Sequence, residues 1–122
     1  MARTVCRVVG VALLAIGLAG FAWPTMLGLH LTTIHDILHL LTGLVALYVG
    51  FAAPPTAARA LCLLFGVAYL VLGLAGLVAP RLVTAVLGHA PVSAGQLAPD
   101  NGLHAVLGAA LLLSAKRSAK RS

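Results

Sequence analysis

The sequence predicts an all-α integral membrane protein, a four-transmembrane-helix bundle built from two tandem helical hairpins with pseudo-two-fold symmetry along the membrane normal. Three observations lead there. Of the 122 residues, 61% are hydrophobic and only 8% charged, where an average soluble domain carries roughly a quarter charged residues. Four apolar stretches approach the roughly 20 residues that a helix needs to cross about 30 Å of hydrocarbon. The first of them also recurs in the second half of the chain, at a constant offset. The whole chain, 1–122, reads as one membrane domain, with repeat 1 at about 2–53, repeat 2 at about 58–115 and a basic tail at 116–122.

The first span runs from about Val5 to Trp23. Arg3 and Arg7 before it and Gly20-Phe21-Ala22 at its end also resemble a cleavable secretion signal. The same pattern recurs internally at Ala58 to Pro80, where no signal is cleaved, so a retained helix is expected. The second span runs from about Ile34 to Ala53 and the third from Ala60 to Ala79, the latter without any charge. The fourth, about Asn101 to Ala115, is short and must sit low, thin the bilayer or gain a turn from its flank. Pro24, Pro54, Pro55, Pro80, Pro91 and Pro99 all fall between spans, where a missing N–H costs least. Between spans three and four, Arg81–Gly88 reads as a short interfacial helix.

Cations set the orientation. Arg3, Arg7, Arg59, Lys116, Arg117, Lys120 and Arg121 fall on one side and only Arg81 on the other. The positive-inside rule then places both termini and the middle turn in the cytoplasm. All five histidines and both aspartates lie toward the outer side. The formal charge of +6 does not indicate nucleic acid, because no basic face interleaved with aromatics exists.

Residues 2–24 (ARTVCRVVGVALLAIGLAGFAWP) and 58–80 (ARALCLLFGVAYLVLGLAGLVAP) share 12 of 23 positions at an offset of 56. The matched Arg3/Arg59, Cys6/Cys62 and Pro24/Pro80 are not low-complexity, which favours duplication over coincidence. The second halves align as Asp36-Ile-Leu38-His39-Leu-Leu-Thr-Gly43 with Asn101-Gly-Leu103-His104-Ala-Val-Leu-Gly108, and Leu47 with Leu112, the outer loop of the second unit being nine residues longer. Two spans per unit preserve orientation, hence the axis along the membrane normal. Small residues let helices approach in lipid. Gly10 and Gly17, and their partners Gly66 and Gly73, are spaced by seven, so spans one and three are expected to cross there.

His39 and His104 occupy equivalent places one to two turns inside the outer ends of spans two and four, a depth at which polar residues are costly and are functional candidates. His35 and Asp100 stand four residues earlier, on the same helix faces. Together, His35, His39, Asp100 and His104 make a candidate site for zinc or another first-row transition metal, with Asp36 placed to orient the His39 ring. A haem version uses His39 and His104 as axial ligands, with Gly43 and Gly108 leaving room for the macrocycle.

A purely structural reading of the same residues stays open. Thr33-Ile-His-Asp36 fits a capping box with Asp36 near the positive helix end, and Asp100 and Asn101 after Pro99 suit a helix start. The histidines would then only bridge the bundle. His30 and His89 are expected to be solvated in outer loops. Cys6 and Cys62 lie toward the cytoplasmic face, where thiols stay reduced, and read as small packing residues whose symmetry lets them meet. Trp23 suits an interfacial anchor, while Tyr48 and Tyr69 lie within spans. The tail repeats Ser-Ala-Lys-Arg from Ser114 and suits anionic lipid.

No serine nucleophile with a nearby base, phosphate-binding glycine loop or CxxC motif is present. No carboxylate sits at the bilayer midplane to couple transport. Hydrolase and transporter readings are disfavoured.

The Leu-His-x-x-x-Gly of span two, the Gly66-Val-Ala-Tyr-Leu-Val-Leu-Gly73-Leu of span three and the Asp-Asn-x-Leu-His-x-x-x-Gly opening span four resemble a bacterial family of small four-helix membrane proteins known only as a domain of unknown function. The resemblance runs from about Val8 to Leu113 and rests on Asp36, Leu38, His39, Gly43, Asp100, Asn101, Leu103, His104 and Gly108. It implies a multi-pass protein of the bacterial inner membrane whose shared feature is the paired histidines, and it supplies no activity. Asp36 against Asn101 departs from strict symmetry.

The expected function is therefore a small membrane module without catalytic activity, packing with itself or with a larger membrane complex. The alternatives are a haem- or transition-metal-binding protein and, more weakly, a proton or small-solute pathway along the two-fold axis.

Overall fold

A computed structural model describes residues 1–88, 90 and 92–120. Among these the chain is all helical: α1 (Ala2–Ala22), a single 3-10 turn (Met26–Gly28), α2 (Thr33–Phe51), α3 (Pro55–Val78), α4 (Pro80–Val86) and α5 (Ala98–Ala119), with no strand. Helices α1, α2 and α3 are long and apolar enough to cross a membrane. The short helix expected at Arg81–Gly88 is α4. The stretch expected at Asn101 to Ala115 lies inside α5, which extends it at both ends to 22 residues. His89, Pro91 and Arg121 lie outside the described residues, so the expectation of a solvated His89 is not addressed.

Local chemistry sets the boundaries. The α1 helix stops at Trp23, ahead of Pro24. Between α1 and α2 the chain turns back through Leu27 (φ 57°) and Gly28 (φ 76°), and the glycine takes this left-handed backbone without steric cost. The cap of α2 is Thr32, whose hydroxyl accepts the His35 N–H at 3.2 Å. This corrects the expected Thr33–Asp36 box by one residue: Thr33 is already helical, and Asp36 donates its own N–H to the Thr32 carbonyl. Pro54 and Pro55 open α3, and Pro99 sits in the first turn of α5, where a missing N–H is harmless.

The helices pack most extensively as α1 with α2 and α3 with α5. The glycines govern this, and they correct the expected crossing of spans one and three. A Cβ added at Gly10 would meet the Leu47 side chain at 2.7 Å and the Gly43 carbonyl at 3.0 Å, both on α2. At Gly17 it would meet the Asp36 carbonyl at 2.9 Å. Gly66 faces Leu112 and the Gly108 carbonyl on α5, and Gly73 faces Asn101 and Ala105. Heptad spacing identified the packing face correctly but not the helix it meets.

Where the two pairs meet, Ala2, Cys6, Val9 and Leu13 of α1 join Ala58, Cys62 and Tyr69 of α3 and Leu111 and Ala115 of α5 in one core cluster. The Cys6 and Cys62 sulfurs lie 3.7 Å apart, both buried, as free thiols. At the basic end Arg3 and Arg7 donate to the Gly50 carbonyl at 3.2 and 2.8 Å, and Arg3 also to Phe51 at 2.7 Å. Arg59 donates to Ala115 at 3.3 Å. Arg3 and Arg7 thus satisfy carbonyls left over at the end of α2, and Arg59 adds a bond to a carbonyl one turn inside the end of α5. Polarity is inverted relative to a soluble bundle: His35, Asp36, His39, Asp100, Asn101 and His104 are buried while Val11, Leu18, Leu44, Leu64 and Val71 face outward. Such a surface suits lipid rather than water, as a membrane protein requires.

Candidate metal centre

One turn of α2 separates His35 from His39, which puts both rings on the same helix face, with centroids 4.3 Å apart. The α5 helix brings in His104, 5.6 Å from His35 and 6.4 Å from His39. All three are at most 4% exposed. One ring nitrogen from each can be chosen such that the three lie within 4.8 Å of one another. His35 Nδ1 lies 2.9 Å from the His30 carbonyl, which orients the ring and leaves Nε2 turned inward. His35 Nε2, His39 Nδ1 and His104 Nδ1 are buried without a hydrogen-bond partner. Buried polar atoms are nearly always satisfied, so three orphan nitrogens in one cluster call for an explanation.

The fourth expected ligand, Asp100, is held elsewhere. One of its carboxylate oxygens accepts the His30 N–H at 2.9 Å, and the other lies 2.8 Å from His30 Nδ1. His30, expected to be solvated, is instead part of a clasp tying the α1–α2 loop to the start of α5. A second tie runs beside it, from the Thr32 hydroxyl to the Leu87 carbonyl. Asp36 does not orient His39: its carboxylate lies against Gly20, where an added Cβ would overlap Oδ1, and that oxygen has no hydrogen-bond partner. Asn101 occupies the corresponding position against Gly76, also without a side-chain partner.

Sequence reading did not assign Tyr69 to the site. Its ring stacks on His104 at 5.6 Å, and its hydroxyl lies 3.4 Å from that of Thr42. A tyrosine deep within an apolar span, away from the interface this residue prefers, was the available signal. Two cavities flank the cluster. One of about 200 Å³ opens between α2 and α3 and is lined by all three histidines. The other, about 190 Å³, lies between α1 and α5 and touches only His39 and His104 of the three.

The donor set fits a transition metal. Imidazole suits zinc, copper, iron and nickel. Zn–N bonds of about 2.0–2.1 Å in a tetrahedral site put ligand nitrogens about 3.3 Å apart, so the widest nitrogen pair has to close by up to about 1.5 Å on binding. The haem geometry expected from the glycines is not present. Gly43 is covered by the Gly10 carbonyl and Leu14 of α1, and Gly108 by Leu70 and the Gly66 carbonyl of α3. Neither leaves a slot for a macrocycle. Each flanking cavity is also smaller than the roughly 300–1,000 Å³ typical of pockets for larger ligands.

Residues 3–116 match the family described as "Domain of unknown function (DUF4383)". The match spans nearly the whole chain, and the protein belongs to that family. No curated protein and no solved structure matches it.

Proposed function

We propose that this member of a family of unknown function is a small, non-catalytic membrane module that binds a first-row transition metal ion through His35, His39 and His104. The observation that carries the reading is the buried three-histidine cluster from α2 and α5, in which one nitrogen of each ring lies within 4.8 Å of the others and each ring has a buried nitrogen without a hydrogen-bond partner. Histidines with a purely structural role would spend those nitrogens on hydrogen bonds, since leaving one buried and unmade costs about 1–3 kcal/mol. A metal ion shared by the three rings would take one nitrogen from each.

The scaffold of the proposal is four spans, with α5 as the fourth, arranged as two tandem hairpins about a pseudo-two-fold axis. Matching contacts support it. Gly10 meets Gly43 and Leu47 as Gly66 meets Gly108 and Leu112. Gly20 lies on Asp36 as Gly76 lies on Asn101, and Arg3 reaches the end of α2 as Arg59 reaches that of α5. With the basic end in the cytoplasm of a bacterial inner membrane, the metal lies toward the outer face. Reporter fusions after Arg117 and within residues 92–97 test the topology: a cytoplasmic signal at the first and an external one at the second are expected, and the reverse refutes the orientation.

The metal itself is tested on protein purified gently from native membranes, by elemental analysis and by titration with Zn(II), Co(II) and Cu(II). About one ion per chain is expected. His39→Ala and His104→Ala should each lose it while still inserting. Failure to load any of the three ions, or full retention in both variants, refutes the site.

A further inference from the structure

We infer that the three-histidine centre keeps a coordination position open toward the membrane and takes there a small lipid-soluble molecule with a ligating nitrogen or oxygen and one apolar ring. This deepens the metal reading above and rests on it.

The cavity between α2 and α3 has the required form. His35, His39 and His104 line it, and three protein ligands leave the fourth position of a tetrahedral ion for an exogenous group. The other walls are apolar, chiefly Leu38, Phe65, Ala68, Leu72 and Leu87. Leu38 and Ala68 are exposed, so the mouth lies between them on the outward faces of two helices long and apolar enough to span the membrane. A molecule entering there comes from the acyl-chain region, not from water. The volume of about 200 Å³ suits one aromatic ring with a ligating group, since an apolar cavity of about 150 Å³ already holds benzene. The ring of Phe65, edge-on to Tyr69 at 6.3 Å, gives the apolar part of such a molecule a flat wall to pack against. The opposite cavity, lined by only two of the histidines, serves as an internal control.

The experiment uses the full chain in lipid nanodiscs loaded with Co(II), whose visible spectrum reports its ligands, and titrates 4-phenylimidazole against imidazole. The phenyl compound should perturb the spectrum and bind roughly tenfold or more tightly, as expected for burial of an apolar ring. Ala68→Phe, which fills the mouth, should abolish that advantage with Co(II) stoichiometry unchanged. Ala12→Phe, in the opposite cavity, should leave the advantage intact. Equal affinities for the two compounds, or an advantage that survives Ala68→Phe, overturn the inference and leave the metal site standing. Absence of Co(II) binding overturns both.

Discussion

Replacing Gly108 by alanine should loosen the α3–α5 pair, and the size of the effect can be worked from the backbone. The new Cβ would lie 2.5 Å from the Leu70 nitrogen, 2.8 Å from the Gly66 carbonyl and 2.9 Å from the Leu70 Cα. The first contact is about 0.9 Å inside ordinary van der Waals range. Every atom it meets is backbone, so no rotamer change relieves it and the helices must part. Overpacking of this kind costs about 1–3 kcal/mol, opposed by the roughly 0.5–1 kcal/mol that alanine gains over glycine in a helix. A net loss of about 1–2 kcal/mol follows. Gly102, in the second turn of the same helix, has nothing within 4 Å of its Cβ position, so Gly102→Ala should be neutral or stabilise by up to about 1 kcal/mol. Reversible unfolding in mixed micelles by SDS titration, followed by helical circular dichroism, measures both. His104 precedes Gly108 by one turn, so Gly108→Ala should also weaken metal binding. If Gly108→Ala is as stable as the parent, or Gly102→Ala loses as much, the close α3–α5 approach is refuted.

Other expectations concern the polar groups. Asp36→Asn places at Gly20 the residue that already stands at Gly76 and should leave stability unchanged or raised in the same titration; a loss above about 1 kcal/mol would contradict it. Asp100→Asn should change Zn(II) affinity by less than about tenfold, whereas His35→Ala should lower it by about a hundredfold or more; competition titration against a chromophoric chelator separates them, and equal losses would return Asp100 to the ligand set. The Cys6 and Cys62 thiols, 1% and 0% exposed, should resist maleimide in the folded protein and both react in SDS. Rapid labelling in the native state would rule out their shared burial.

Much of the architecture was legible because lipid imposes a coarse code. Length and apolarity mark α1, α2 and α3, and the likeness of 2–24 to 58–80 aligns Gly10 with Gly66. Helix partners were less legible. A spacing of seven says which face packs, not which neighbour it meets. The short turn from Ala52 to Pro54 would also point to α2 and α3 as neighbours, yet their contact is slight beside that of α1 with α2. The glycines decide instead: Gly10 and Gly43 each stand 3.0 Å from the other's carbonyl at the Cβ position, which lets α1 and α2 approach backbone to backbone. Two members of the clasp, His30 and Leu87, were illegible for a different reason: both lie in irregular connections, where no periodicity constrains which side chain faces inward.

If the chain holds a metal ion as proposed, its ligand set would not follow the likeness between the two halves of the sequence. Taken alone, the duplication offers His35 and His39 from one unit against Asp100 and His104 from the other, two pairs in equivalent register. The two units connect their helices differently, however, and the loop after α1 lies across the start of α5. From there His30 takes both oxygens of Asp100, while its carbonyl fixes His35 Nδ1 and leaves Nε2 turned inward. One residue therefore withdraws a carboxylate from the centre and orients an imidazole toward it. On the tandem-hairpin reading this converts a three-nitrogen, one-oxygen set into three nitrogens with a vacant position. On the proposed reading, a neutral donor set favours borderline metals over hard cations such as magnesium, and its fourth position is the one inferred to face the cavity between α2 and α3. On that reading the asymmetry of the loops, rather than any symmetry of the helices, would determine what the proposed centre binds.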